Sequence, residues 1–121
     1  MKNIILVEDD PFLLDIYTTK FKESGFEIEV VKEGQKVLDT LKKKVPDLLI
    51  LDIVLPDIDG LEVLKQIRSQ EAYKNLPIII LSNLGQKQEV KKGLELGATK
   101  YLIKANYKPS ELVEEIKKIL I

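Results

Sequence analysis

Residues 48–60 run Leu48-Leu49-Ile50-Leu51-Asp52-Ile53-Val54-Leu55-Pro56-Asp57-Ile58-Asp59-Gly60. Four apolar residues in succession, with no polar residue alternating between them, suit a strand covered on both faces, as the strands of parallel sheets are. The run stops on a carboxylate, Asp52. Beyond it, Pro56, Asp57 and Gly60 favour a turn, and Asp59 can cap a helix in which Leu61, Leu64 and Ile67 share a face. A buried strand, an acidic end, a turn and an amphipathic helix make one strand–helix unit of a parallel α/β sheet.

The same unit recurs along the chain. Ile4–Val7, Ile78–Leu81 and Tyr101–Ile103 are short uninterrupted apolar runs, whereas Glu27–Val31 alternates, with Ile28 and Val30 on one side, as a strand nearer an edge does. Asp10-Pro11 is a helix start, Leu13, Ile16, Tyr17 and Phe21 form its stripe, and Gly25 fits its stop. Val37, Leu38 and Leu41 mark a second helix before Pro46. Val90 and Leu94 mark the fourth, ending at Gly97. The fifth follows Pro109, with Leu112, Val113, Ile116 and Ile119 facing inward. Strict alternation predicts five parallel strands wound by right-handed crossovers. The expectation is one doubly wound (βα)5 domain of the α/β class over residues 1–121.

The bulk properties narrow the chemistry. A chain of 121 residues with 45% hydrophobic content has room for one core and no second ordinary domain. Taken as a whole protein, it would have to act by binding something else. Nineteen basic and 20 acidic residues leave a net charge of −1, so no global field recruits nucleic acid or an anionic membrane. The run after Met1 is too short for a secretion signal and no run approaches a membrane span, which predicts a cytoplasmic chain. Cysteine and histidine are both absent. Thiolate chemistry is excluded, and so are the commonest general base and transition-metal ligand. Carboxylates, lysines and hydroxyls remain, and they suit a hard cation such as Mg²⁺.

Ligands of such sheets sit beyond the carboxyl ends of the strands. Strand one ends in Glu8-Asp9-Asp10, strand three in Asp52, strand four in Ser82-Asn83 and strand five in Lys104. Clustered carboxylates repel one another unless a cation neutralises them. Mg²⁺ takes one or two carboxylates and keeps waters, which leaves room for a phosphoryl oxygen. An aspartate can then serve as nucleophile and form an acyl phosphate. A lysine and a hydroxyl suit the remaining phosphoryl oxygens.

Four pieces in this order and spacing, Ile5-Leu6-Val7-Glu8-Asp9-Asp10, residues 48–60, Ile79-Ile80-Leu81-Ser82 and Tyr101-Leu102-Ile103-Lys104, resemble the CheY-like receiver domains of two-component response regulators across the full length. The resemblance implies a flavodoxin-like strand order 2-1-3-4-5. It implies Asp52 as acceptor of a phosphoryl group from a histidine kinase or phosphotransfer protein. Asp9 would bind Mg²⁺ directly, Glu8 would act through water, and the backbone carbonyl of Val54 would complete the protein ligands. Lys104 would bridge to the phosphoryl group. Ser82 would swing its hydroxyl towards a phosphoryl oxygen, and Tyr101 would move inward as a switch. A downstream protein would read helix four, strand five and helix five, the face through which phosphorylation could also drive a homodimer. Such a protein is not a turnover enzyme, but catalyses its own phosphotransfer.

Two positions depart from the family pattern. Ala105 stands where proline usually follows the lysine, and a trans bond is expected there because a cis bond before alanine costs roughly 3 kcal/mol. Asn83 stands where a small residue is usual, so its amide would either restrict the phosphate or hydrogen-bond to it. Val54 and Leu84 are apolar where some members hold an attacking water, which predicts slow self-dephosphorylation. Other readings of single residues are plainer. Asp10 reads as a helix cap, Asp57 and Asp59 as turn residues, and Lys87, Lys91, Lys92 and Lys108 as a solvated face. Two further readings of the whole stand beside the switch: a scaffold of this fold that binds partners without phosphorylation, and a small Mg²⁺-dependent phosphatase with an aspartyl nucleophile. The phosphatase is weakened because no second acid closely follows Asp52.

Overall fold

The computed structural model describes residues 1–120; Ile121, the last residue of the expected domain, lies outside them. Strands β1 (Asn3–Val7), β2 (Glu27–Val31), β3 (Leu48–Leu51), β4 (Ile78–Ser82) and β5 (Lys100–Ile103) alternate with helices α1 (Pro11–Glu23), α2 (Val37–Lys43), α3 (Gly60–Arg68), α4 (Lys87–Glu95) and α5 (Pro109–Leu120). All strand pairs are parallel, in the order β2-β1-β3-β4-β5. Both the α/β class and the strand order expected from the sequence are therefore found.

Side-chain alternation divides the core between the two faces of the sheet. Ile4, Leu6, Leu48, Ile50, Ile79, Leu81 and Leu102 pack with α1 and α5. Ile5, Val7, Leu49, Leu51, Ile78 and Ile80 pack with α2 and α3 on the other face. The unbroken apolar runs have this cause, since both faces of β1, β3 and β4 are covered. β2 alternates because it is an edge, and Glu27 and Glu29 are exposed on it; charge on an edge strand discourages pairing with another chain.

Local signals hold the helices where the site needs them. Asp10 accepts from the N–H groups of Phe12 and Leu13 at 2.9 and 3.3 Å, and Asp59 accepts from Leu61 N–H at 2.8 Å. Both are caps, as read from the sequence. Gly25 and Gly97, past the ends of α1 and α4, have φ of +93° and +110°, which L side chains rarely adopt.

The inward stripes differ from expectation in two helices. Leu14 joins Tyr17 and Phe21 as the buried face of α1, with Leu13 and Ile16 half-buried beside it. On α4, Leu94 is 46% exposed, and Gly93 is the buried position. A Cβ at Gly93 would meet Ile80 and the Tyr101 ring, at 2.7 and 2.9 Å. The ring occupies the space a side chain would need, and this rotates Leu94 outward.

Candidate functional site: an acidic pocket bridged by Lys104

The chain runs from β1 to β2 on one side, then places β3 on the other side of β1, which opens a crevice at the carboxyl ends of β1 and β3. Glu8 follows β1 and Asp52 follows β3, so their positions are fixed by the strands that precede them. Glu8 is 2% exposed and Asp52 5% exposed. Asp9, next along, is exposed. Carboxylate oxygens of all three lie within 4.8 Å of one another.

Lys104, just past β5, reaches across the rim to this cluster. Its ammonium donates to Glu8 Oε1 at 2.5 Å and to Asp52 Oδ2 at 2.7 Å. Burial pulls the ammonium down, but the hydrogen bonds to Asp52 and Glu8 outweigh it and leave Lys104 above the ordinary lysine range. The remaining Glu8 oxygen, Oε2, accepts from the backbone N–H groups of Asp9 and Asp10, both at 3.1 Å. Asp52 Oδ1 accepts a longer bond from Val54 N–H, at 3.3 Å.

Three carboxylates against one ammonium leave a formal excess of two negative charges, which one divalent cation would neutralise. The donor set is all oxygen, the kind a hard cation prefers. Both oxygens of Glu8 already have partners, so Asp9 and Asp52 are the groups best placed to ligate. The residues thus fit a metal.

Apart from the Val54 N–H bond to Asp52, the other expected site residues surround this cluster without hydrogen-bonding to it. Ser82, 1% exposed, is the last residue of β4, and its hydroxyl oxygen accepts from Leu84 N–H at 3.3 Å. Tyr101, on β5, is half-buried over Gly93 and donates its hydroxyl hydrogen bond to the Leu84 carbonyl. Burial, followed by the charges of Glu89 and Asp52, pushes that hydroxyl up to about 12. Val54 and Leu84 are exposed at the rim. Asn83 Oδ1 accepts from Ala105 N–H at 3.1 Å, and the peptide bonds are all trans among the described residues. The trans expectation before Ala105 therefore holds.

Sequence reading missed one contributor. Asp57 uses both oxygens, each at 2.9 Å, to accept the N–H groups of Gly34 and Gln35, and so ties the loop after Asp52 to the turn before α2. Its only signal was an acid in a turn, since a partner 22 or 23 residues away leaves no local trace. Lys87, Lys91, Lys92 and Lys108 are exposed, as a solvated face should be.

Residues 4–117 match the response regulator receiver domain as a family. The chain belongs to that family. It is 33% identical over 119 residues to the alkaline phosphatase synthesis transcriptional regulatory protein PhoP of Bacillus subtilis, covering 98% of this chain and 48% of that protein. The chain spans about half the length of the curated relatives it matches. A putative response regulator from Chloroflexus aurantiacus superposes with a TM-score of 0.90 at 34% identity, covering 98% of this chain and 97% of that one. The Mn²⁺-bound form of response regulator Rcp1 superposes with a TM-score of 0.82 at 26% identity, covering 99% and 90%. As a receiver domain the chain belongs to two-component signalling, whose receivers partner with histidine kinases, and not to a classical enzyme family. Its pocket of Glu8, Asp9 and Asp52 is consistent with the family's phospho-acceptor site. Among the described residues no helix is long and apolar enough to cross a membrane.

Proposed function

We propose that this receiver domain is a phosphorylation-dependent switch in which Asp52 accepts a phosphoryl group from a phosphohistidine on a kinase or phosphotransfer protein. One observation carries the reading: Lys104 holds Asp52 by one oxygen beside Glu8, while the other oxygen keeps only a long bond to Val54 N–H. That second oxygen is the nucleophile. It attacks phosphorus as the bond from phosphorus to the donor imidazole nitrogen breaks, the bonding pair leaves with the imidazole, and an acyl phosphate forms. Lys104 stays beside the product and offsets its added charge. Asp9, Asp52 and the Val54 carbonyl would hold Mg²⁺, with Glu8 acting through water; when bound, the ion supplies positive charge that stabilises the phosphoryl oxygens.

An apolar groove lined by Leu13, Ile16, Tyr107 and Pro109 opens beside Lys104 and Ala105, giving a protein donor a surface at the rim. Ser82 would turn its hydroxyl from Leu84 N–H to a phosphoryl oxygen. That loosens the loop to which the Tyr101 hydroxyl is bonded, and the equilibrium between its positions shifts inward. The face made by α4, β5 and α5 then changes for a downstream protein or for a second copy of the chain.

Intact mass after incubation with acetyl phosphate and Mg²⁺ tests the reading. One added phosphoryl group, absent from Asp52→Asn and from an EDTA control, supports it. An unmodified wild type in the presence of bound Mg²⁺ favours instead a scaffold that works without phosphorylation.

A further inference from the structure

We propose that Asn83 is a positioning residue for Lys104, and that its amide and the backbone N–H of Ala105 form a latch that replaces the constraint a proline would impose after the lysine. The inference deepens the phosphoryl-acceptor reading and rests on it. The β4–β5 ladder ends at the pair Ser82–Ile103. Beyond that pair, no backbone hydrogen bond joins the loop at Asn83 to the turn at Lys104. Asn83 supplies the missing rung from its side chain, with Oδ1 accepting from Ala105 N–H at 3.1 Å across 22 residues. The bond joins the two loops that carry Ser82 and Lys104.

The pairing explains both departures from the family pattern together. Proline at 105 would have no N–H, so the amide oxygen of residue 83 would lose its partner. A small residue at 83 would leave the Ala105 N–H without a protein acceptor. Lys104 begins a short 3₁₀ turn, closed by Tyr107 N–H on the Lys104 carbonyl at 3.3 Å, which does not itself fix the turn to β4. The latch does. Lys104 must span from β5 at one sheet edge to Glu8 beyond β1, and a shift of its backbone would be felt at both carboxylates.

The test is a cycle of Asn83→Ala, Ala105→Pro and the double variant, read by the Mg²⁺ dissociation constant, the rate of phosphorylation by acetyl phosphate, and amide hydrogen exchange at residue 105 where an amide exists. Loss of one neutral hydrogen bond predicts about a fivefold slower phosphorylation in Asn83→Ala, whereas Ala105→Pro, which loses the bond but regains a proline's constraint, should be slowed less. The double variant should be no slower than the slower single, and Ala105 exchange should speed up in Asn83→Ala while helix and strand amides keep their protection. Multiplicative losses in the double variant, or Ala105 exchange unmoved by Asn83→Ala, would overturn the latch. If wild type takes no phosphoryl group, the functional reading falls alone, and the Mg²⁺ and exchange cycles still decide the latch.

Discussion

Val54 and Leu84, 60% and 37% exposed, face solvent at the mouth of the pocket with nothing on either side chain to orient a water. Replacing them with Asn and Glu should speed hydrolysis of the acyl phosphate on the order of tenfold, the kind of gain that positioning a reactant supplies. Loss of the added mass over time measures it, and an unchanged lifetime would mean that water reaches the phosphorus by another route. Asp57 makes a pH-dependent contribution of the opposite character, structural and not chemical. The N–H of Gln35, with that of Gly34, holds its carboxyl below the usual carboxylate range. A carboxyl depressed in the folded state stabilises above its unfolded pKa of about 3.9 and loses that contribution as pH falls through the folded value. Wild type should therefore melt above Asp57→Asn near neutrality, with the gap closing below about pH 4. A gap of constant size through that window would show that the Asp57 charge plays no part.

At the scale of elements, the start of α3 is pressed against the end of β3. Gly60 N–H donates to the Ile53 carbonyl at 2.7 Å, and a Cβ at Gly60 would run into the Asp52 carbonyl and Ile53 Cα. Those are backbone atoms that cannot swing aside, so Gly60→Ala should cost about 1–3 kcal/mol in urea unfolding. A stability equal to wild type would mean that the helix start moves without strain. Strand positions were legible within a residue: burial on both faces writes unbroken apolar runs in β1, β3 and β4, and the edge strands β2 and β5 keep partly buried apolar residues. Caps were legible because Asp10 and Asp59 bond only two or three residues ahead. Leu94 was not legible: periodicity places it on the α4 stripe, but the Tyr101 ring from another element takes the space beneath. Asn83 was half legible. Its amide was visible as a departure, but the partner that fixes its role lies across the loop at Ala105.

For the molecule as a whole, the pocket's two uncompensated negative charges make folding and cation binding one equilibrium. Mg²⁺ that binds only the folded chain should stabilise it by about 2.7 kcal/mol at a hundredfold excess over the dissociation constant. Asp9→Asn should remove most of that gain in a thermal melt, and a full gain in the variant would exclude Asp9 as a ligand. The acids and the lysine of this pocket were readable from where the apolar runs stop, but the distances among them were not, since they depend on strand order. That order has a kinetic consequence. Glu8 and Lys104 are 96 residues apart in the chain, and Lys104 stands past an edge strand, so their ion pair closes only when the last strand docks. An ion pair made that late should leave the refolding rate nearly unchanged and slow unfolding, as interactions absent from the transition state do. The pocket would then act as a clasp on an assembled sheet, lengthening the life of the fold without hastening its birth.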